Sequence, residues 1–207
     1  LTKLVDTTDE WISTRTGILS RRVCVTESHV DMAEGAARQA LGWADGGYSQ
    51  CKVAPEDIDL VIYSTISPDE MVPTCAAVLR RRLGLVNAAA FDMNAACTGF
   101  IYGLTIAESM MAASAPGAAG AAGRNPIRRA LVVGGERLTR VVDWADRNTC
   151  VLFGDGAGAA VVEWDERKPG ILSWFIKNDD DHTNALTCPA CFDAPQPFTP
   201  EGVDPNA

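Results

Sequence analysis

Apolar residues gather in four short runs along the chain: Leu60-Val61-Ile62-Tyr63, Ala88-Ala89-Ala90-Phe91, Leu131-Val132-Val133 and Ala159-Ala160-Val161-Val162. Runs this short, and continuous rather than alternating, predict strands buried on both faces. Between them the apolar spacing shifts to the helical period. In residues 31–41 a single stripe holds Met32, Ala36, Ala37, Ala40 and Leu41, and behind Cys97 the residues Phe100, Leu104, Ala107 and Met111 recur at spacings of four, three and four. Strand and helix alternate, so the pattern predicts an α/β fold with a sheet layered between helices.

Three segments break this rhythm. Residues 15–25 carry the turn signal Thr16-Gly17 within alternating character, which predicts a hairpin or loop near the surface. Residues 115–126 are rich in Gly and Ala and predict a connection from the end of one helix to the strand near Arg129. From Asn178 onward acids, small residues and the prolines 189, 195, 197, 200 and 205 follow too closely for regular elements, and the tail reads as a loop cut off before its next element.

Length and composition narrow the class. With 207 residues and 47% hydrophobic content, the chain can bury a full core as one large domain or two small ones. The net charge of −9 argues against a nucleic-acid groove, which needs Lys and Arg clustered over a face. Arg80, Arg81 and Arg82 form the one dense basic cluster, either a solvated helix face or a docking spot for an acidic partner. No apolar stretch approaches the roughly 20 residues of a bilayer span, and the first ten residues lack the pattern of an export signal. Seven irregularly spaced cysteines predict reduced thiols and a cytoplasmic compartment.

The segment Phe91-Asp92-Met93-Asn94-Ala95-Ala96-Cys97-Thr98-Gly99-Phe100 sets a cysteine between an apolar strand and a helix. Unpaired N–H groups and the macrodipole at a helix start favour an anion, which makes Cys97 a candidate nucleophile toward a thioester. A buried cysteine filling a small space fits the same position. Cys24, Cys51, Cys75 and Cys150 have no base, helix start or metal partner nearby in sequence and read as packing residues. Cys188-Pro189-Ala190-Cys191 has the spacing of a redox or zinc knuckle, but with His182 it makes only an incomplete ligand set, so no metal is expected. Gly154-Asp155-Gly156-Ala157-Gly158 leads into a strand-like run rather than a helix, which favours a tight turn and close backbone packing over a phosphate cradle.

Four motifs in register, Asp9-Glu10-Trp11-Ile12 with Thr14-Arg15-Thr16-Gly17-Ile18, Ala95-Ala96-Cys97-Thr98-Gly99-Phe100, Asp146-Arg147-Asn148-Thr149 and Phe153-Gly154-Asp155-Gly156-Ala157-Gly158-Ala159-Ala160, resemble the β-ketoacyl-acyl-carrier-protein synthase III family over residues 1–190. The resemblance implies a thiolase-like α/β fold of two similar halves. Residues 1–167 correspond to the N-terminal half without its opening strand, its mixed sheet lying between helices, and residues 168–207 to the beginning of a largely absent C-terminal half. It implies acyl transfer from acyl-CoA to cysteine, then decarboxylative condensation with malonyl-acyl-carrier protein in a homodimer, with coenzyme A thioester as substrate and no tightly bound cofactor.

Residue by residue, Cys97 takes the nucleophile position. Trp11 and Arg147 fall where the family holds the adenine of coenzyme A, and Arg15 falls at a position associated with the same molecule. An indole face and a planar guanidinium can sandwich a purine, and a further guanidinium can meet phosphate. Without the resemblance, Trp11 is a packing residue and the two arginines are solvated charges. Leu138 and Phe153 match positions near the acyl pocket, and a core role suits them equally. Val72 stands where relatives often carry a bulkier aromatic reaching the partner subunit's pocket, so a longer or branched starter is expected. The family's catalytic histidine and asparagine have no matching motif, since the two histidines, His29 and His182, lie in other contexts. The piece is therefore expected to be incomplete for condensation. A thiolase-fold acyltransferase of secondary metabolism and a non-catalytic truncated interaction subunit remain the alternatives, and the intact Cys97 motif weighs against the second.

Overall fold

The computed structural model describes residues 1–44, 52–119, 125–168, 170–177, 179, 183 and 186–188. Each of the four apolar runs is a strand: β1 (Leu60–Ser64), β2 (Ala89–Met93), β3 (Arg129–Arg137) and β4 (Asp155–Glu163). They form one sheet in the order β2-β1-β3-β4. β1 runs parallel to both β2 and β3, while β4 returns antiparallel to β3, so the sheet is mixed. β1 is buried throughout, but β2 and β4 are largely half-buried, which corrects the expectation that all four runs are covered on both faces. The reason is position: α2 (His29–Ala40) and α3 (Cys75–Leu83) cover one face, whereas on the other the single helix α4 (Gly99–Ser114) lies over β1 and β3 and leaves the flanks open.

Side-chain caps set where the helices begin. Thr8 accepts from Trp11 N–H at the start of α1 (Asp9–Thr16), Ser28 and Asp31 form a reciprocal capping box on α2, and Thr74 accepts from Ala77 N–H on α3. Gly17, at φ 71°, ends α1 in the left-handed conformation that favours glycine. Residues 15–25 are therefore the last turn of a helix followed by a loop, not a hairpin. Arg21 holds that loop down by donating to the carbonyls of Cys150 and Phe153 at 2.9 Å and of Val151 at 2.8 Å.

The core has a layer on each side of the sheet. Val30, Ala33, Ala37 and Leu41 of the α2 region and Leu79 and Leu83 of α3 pack on Val61, Tyr63, Leu131 and Val133. The stripe of α2 is thus centred one position away from Met32 and Ala36, which are half-buried. On the opposite face Ala107 and Met111 of α4 meet Leu60, Ile62, Ala130 and Val132, with Phe100 and Leu104 packed against them. A Cβ on Gly103 would lie 2.9 Å from Val132 Cγ1, so this glycine lets α4 lie flush on the sheet. His29, fully buried, ties α2 to β1 through Nε2 to Tyr63 Oη at 3.2 Å.

Two of the clustered arginines are committed internally. Arg80 donates to the carbonyls of Ala88 and Val86 at 2.6 Å, and Arg82 pairs with Asp31 at 2.6 Å and Glu34 at 3.4 Å. Arg82 is thus paired with acids, whereas Arg80, bonded to neutral carbonyls, keeps its charge beside the exposed Arg81. Of the connection at residues 115–126, positions 120–124 lie outside the described residues; beyond it, Ile127 N–H donates to Ser114 Oγ at 2.9 Å. Among the described residues, no helix is long and apolar enough to cross a membrane. The chain divides into a compact unit Leu1–Ile176 and a unit Lys177–Ala207, in which most of the proline-rich tail lies outside the described residues.

Candidate functional site

Cys97 emerges at the edge of the sheet where the parallel strands end. β2 closes at Met93, a single 3-10 turn spans Ala96–Thr98, and α4 begins at Gly99. Ala96 has φ 44°, a left-handed conformation that costs a non-glycine residue about 1–2 kcal/mol. Side chains brace the turn: Asn94 Oδ1 accepts from Ala96 N–H at 3.2 Å, and the Thr98 hydroxyl donates to the Ala95 carbonyl at 2.8 Å. A Cβ on Gly99 would stand 1.7 Å from Ser64 Oγ, so only glycine lets α4 start against the end of β1. Cys97 is exposed, and Thr98 gives α4 no side-chain cap.

The other cysteines differ. Cys75 and Cys150 are buried and Cys24 half-buried, and burial pushes the Cys75 thiol up to about 11. Cys51, His182 and Cys191 lie outside the described residues, and Cys188 is exposed. Among the described residues no group of His, Cys, Asp and Glu could hold a metal ion.

Trp11, Arg15 and Arg147 converge. The Arg15 guanidinium lies 4.5 Å from the centroid of the Trp11 ring and that of Arg147 lies 4.0 Å from it. Trp11 and Arg15 share a face of α1 at i,i+4 spacing, whereas Arg147 arrives from α5 (Arg147–Cys150). Asp146 starts α5 by accepting from Asn148 N–H at 2.9 Å and the Thr149 hydroxyl at 2.6 Å, and these bonds hold its carboxyl below the usual carboxylate range. Arg147 Nε is buried without a hydrogen-bond partner, a donor that an anionic or purine ligand could satisfy.

The three pocket candidates are not gathered in this way. Val72 is 84% exposed on the loop between β1 and α3. Leu138 begins the 3-10 turn after β3 and Phe153 precedes β4, both half-buried. The cavity of about 710 Å³ between α2, β4 and residues 22–27 and that of about 680 Å³ beside Leu1, Leu4 and Trp144 are lined neither by Cys97 nor by these residues.

Comparison with known proteins gives this geometry its context. Residues 91–180 match the sequence profile of 3-oxoacyl-[acyl-carrier-protein (ACP)] synthase III. The β-ketoacyl-[acyl-carrier-protein] synthase III of Clostridium botulinum (strain Okra / Type B1) is 43% identical over 191 residues, which cover 92% of this chain and 52% of that protein. Over about half of those proteins' length, the chain is homologous to the synthase III family. The crystal structure of 3-oxoacyl-[acyl-carrier-protein] synthase III from Aquifex aeolicus VF5 matches with a TM-score of 0.68 at 44% identity, over 80% of this chain and 48% of that one. The priming β-ketosynthase from the R1128 polyketide biosynthetic pathway matches with a TM-score of 0.66 at 41% identity, over 79% and 44%. The expected thiolase-like α/β fold is thereby borne out. The chain spans about half the length of the curated relatives it matches.

Several carboxylates that tie distant segments of the fold together escaped the sequence reading. Asp155, read only as part of a glycine turn, accepts from Cys24 N–H at 2.7 Å, Thr139 N–H at 2.9 Å and the Thr139 hydroxyl at 2.7 Å. Burial alone would raise its carboxyl, but these bonds and the Arg137 charge hold it below the ordinary range. The neighbouring glycines split in role: a Cβ on Gly154 would crowd Arg22 O at 3.1 Å, while Gly156 and Gly158 face open space. Close packing thus explains the first glycine and not the other two. Asp92 receives Cys75 N–H at 2.8 Å and Ala76 N–H at 2.7 Å, and Asp69 receives His29 N–H at 3.2 Å and Val30 N–H at 3.3 Å. No local signal marks these carboxylates, because each caps a helix distant in sequence.

Proposed function

We propose that Cys97 accepts an acyl group from an acyl-CoA thioester, the first half of the β-ketoacyl-acyl-carrier-protein synthase III reaction. The Cys97 sulfur attacks the thioester carbonyl, a new carbon–sulfur bond forms, and the bond to coenzyme A breaks. The departing thiolate takes up the proton that Cys97 gave up. In the complete reaction the acyl-enzyme condenses with malonyl-acyl-carrier protein, releasing carbon dioxide and initiating fatty acid synthesis in a homodimer. That step needs preorganised donors at the developing enolate beyond the residues considered above.

The observation that carries the proposal is the convergence of Arg15 and Arg147 on Trp11, contributed by two separate helices. At 4.0 Å the Arg147 guanidinium stacks directly on the indole, so an adenine binds either by parting the two planes or by replacing one guanidinium on the ring. Arg15 then remains to meet a phosphate. Leu138, Phe153 and Val72 are assigned to acyl-chain selection, and Val72→Phe in the full-length enzyme is expected to shorten the accepted starter.

Similarity to the R1128 priming β-ketosynthase supports a second reading, in which the same acyl transfer primes a secondary pathway. Intact mass spectrometry after incubation with acetyl-CoA and longer acyl-CoAs, beside Cys97→Ser, tests the shared step. A thioester-labile adduct absent from Cys97→Ser is expected, and its chain-length preference bears on which pathway the acyl transfer serves. An adduct that persists in Cys97→Ser would refute the assignment.

A further inference from the structure

We propose that Glu136 is a positioning residue for Cys97, acting through Thr65. The proposal rests on the reading of Cys97 as acyl acceptor. Glu136 sits near the end of β3, at the edge of the sheet from which Cys97 emerges, and its carboxylate gathers three donors from the stretch after β1. Ile66 N–H donates at 2.9 Å, the Thr65 hydroxyl at 3.2 Å, and the Ser67 hydroxyl in a very short bond. The Ser67 oxygen in turn accepts from Arg137 N–H at 2.8 Å. Thr65 and Ser67 are 6% and 3% exposed, so water competes little for these hydroxyls. Hydrogen bonds to a carboxylate shielded in this way are among the stiffer ones in proteins.

Thr65 faces two ways. While its hydroxyl donates to Glu136, its N–H donates to the carbonyl of Met93 at 3.1 Å. Met93 is the last residue of β2, four positions before Cys97. Ser64, the residue before Thr65, is the one whose side chain abuts Gly99 just beyond Cys97. The turn that carries Cys97 is therefore bracketed by contacts to Thr65 and Ser64, and Glu136 fixes where both lie. The neighbouring arginines serve other partners: Arg137 donates to Cys24 O at 3.2 Å and Arg140 to Asp69 at 3.2 Å, so Glu136 contributes geometry here rather than a neutralising charge.

The test compares the unmodified protein with Thr65→Val, Thr65→Ser, Glu136→Gln and the double variant Thr65→Val/Glu136→Gln. Acylation by acetyl-CoA is followed by intact mass, with thermal melting beside it. Thr65→Val and Glu136→Gln are each expected to slow the saturating rate about tenfold while leaving the half-saturating acetyl-CoA concentration unchanged. Thr65→Ser restores the rate, and the double variant is no slower than either single change, because both break one path. A wild-type rate in Thr65→Val, additive losses in the double variant, or losses that track melting temperature through every variant would overturn the proposal. Absence of any acyl adduct in the unmodified chain counts against the acyl-acceptor reading instead. Alkylation of Cys97 by iodoacetamide, resolved by peptide mass spectrometry, then decides the role of Glu136: slowing in Thr65→Val with recovery in Thr65→Ser supports it, and equal rates overturn it.

Discussion

Cys75 and Cys97 both stand at the head of a helix on the same sheet, yet their surroundings differ in each respect that governs thiol chemistry. Cys75 is the first residue of α3, 2% exposed, and the first three N–H groups of that helix are claimed by Asp92 and Thr74. Burial, which dominates, and the nearby carboxylates raise its thiol to about 11. Cys97 stands ahead of α4, exposed, in a turn with a left-handed Ala96, and no side chain caps the helix behind it. A helix start is thus not sufficient for a nucleophile. What separates the two positions is solvent access and the absence of a side-chain cap at α4, the conditions that favour a reactive thiol.

The largest effect expected from this contrast is in alkylation. At pH 8 a thiol titrating near 11 is about one-thousandth thiolate, so iodoacetamide should label Cys97 at least about a hundredfold faster than Cys75. Comparable labelling, read by peptide mass spectrometry, would break the contrast. Next comes Gly99→Ala, which drives a methyl group into Ser64 and should cost about 2–3 kcal/mol in urea denaturation while slowing adduct formation at Cys97; unchanged stability and unchanged rate would show that α4 shifts without cost. The smallest effect belongs to Asp92→Ala, which uncaps α3 at about 1–2 kcal/mol and should leave Cys75 as unreactive as before. Labelling of Cys75 in that variant would mean that capping, rather than burial, keeps it silent.

The two faces of the sheet repeat the lesson at larger scale. α2 has a polar side, carrying the Glu34–Arg38 pair at 2.8 Å, and a buried side of Val30, Ala33 and Ala37. α4 is apolar around most of its circumference, with Ala107 and Met111 on the sheet and Ile101 56% exposed on the other side. A helix of that composition ordinarily packs on more than one side, and the chain spans about half the length of its curated relatives.

The four strand runs, helices α2 and α4, and the junction holding Cys97 were legible in the sequence because each depends on residues adjacent in the chain: apolar runs for the strands, a 3.6-residue period for the two helices, and the Asn94-to-Gly99 turn; α1, α5 and the Asp155-to-Gly158 part of β4, read as a turn, were not. The meeting of Trp11 with Arg147 could be expected only through family resemblance, since nothing local to either residue points to the other. The half-exposed flanks of β2 and β4, the internal pairing of Arg80 and Arg82, and the hold of Glu136 on Thr65 were decided by the tertiary structure alone. Local periodicity reports the face a residue presents, but which group waits there depends on how distant segments cross.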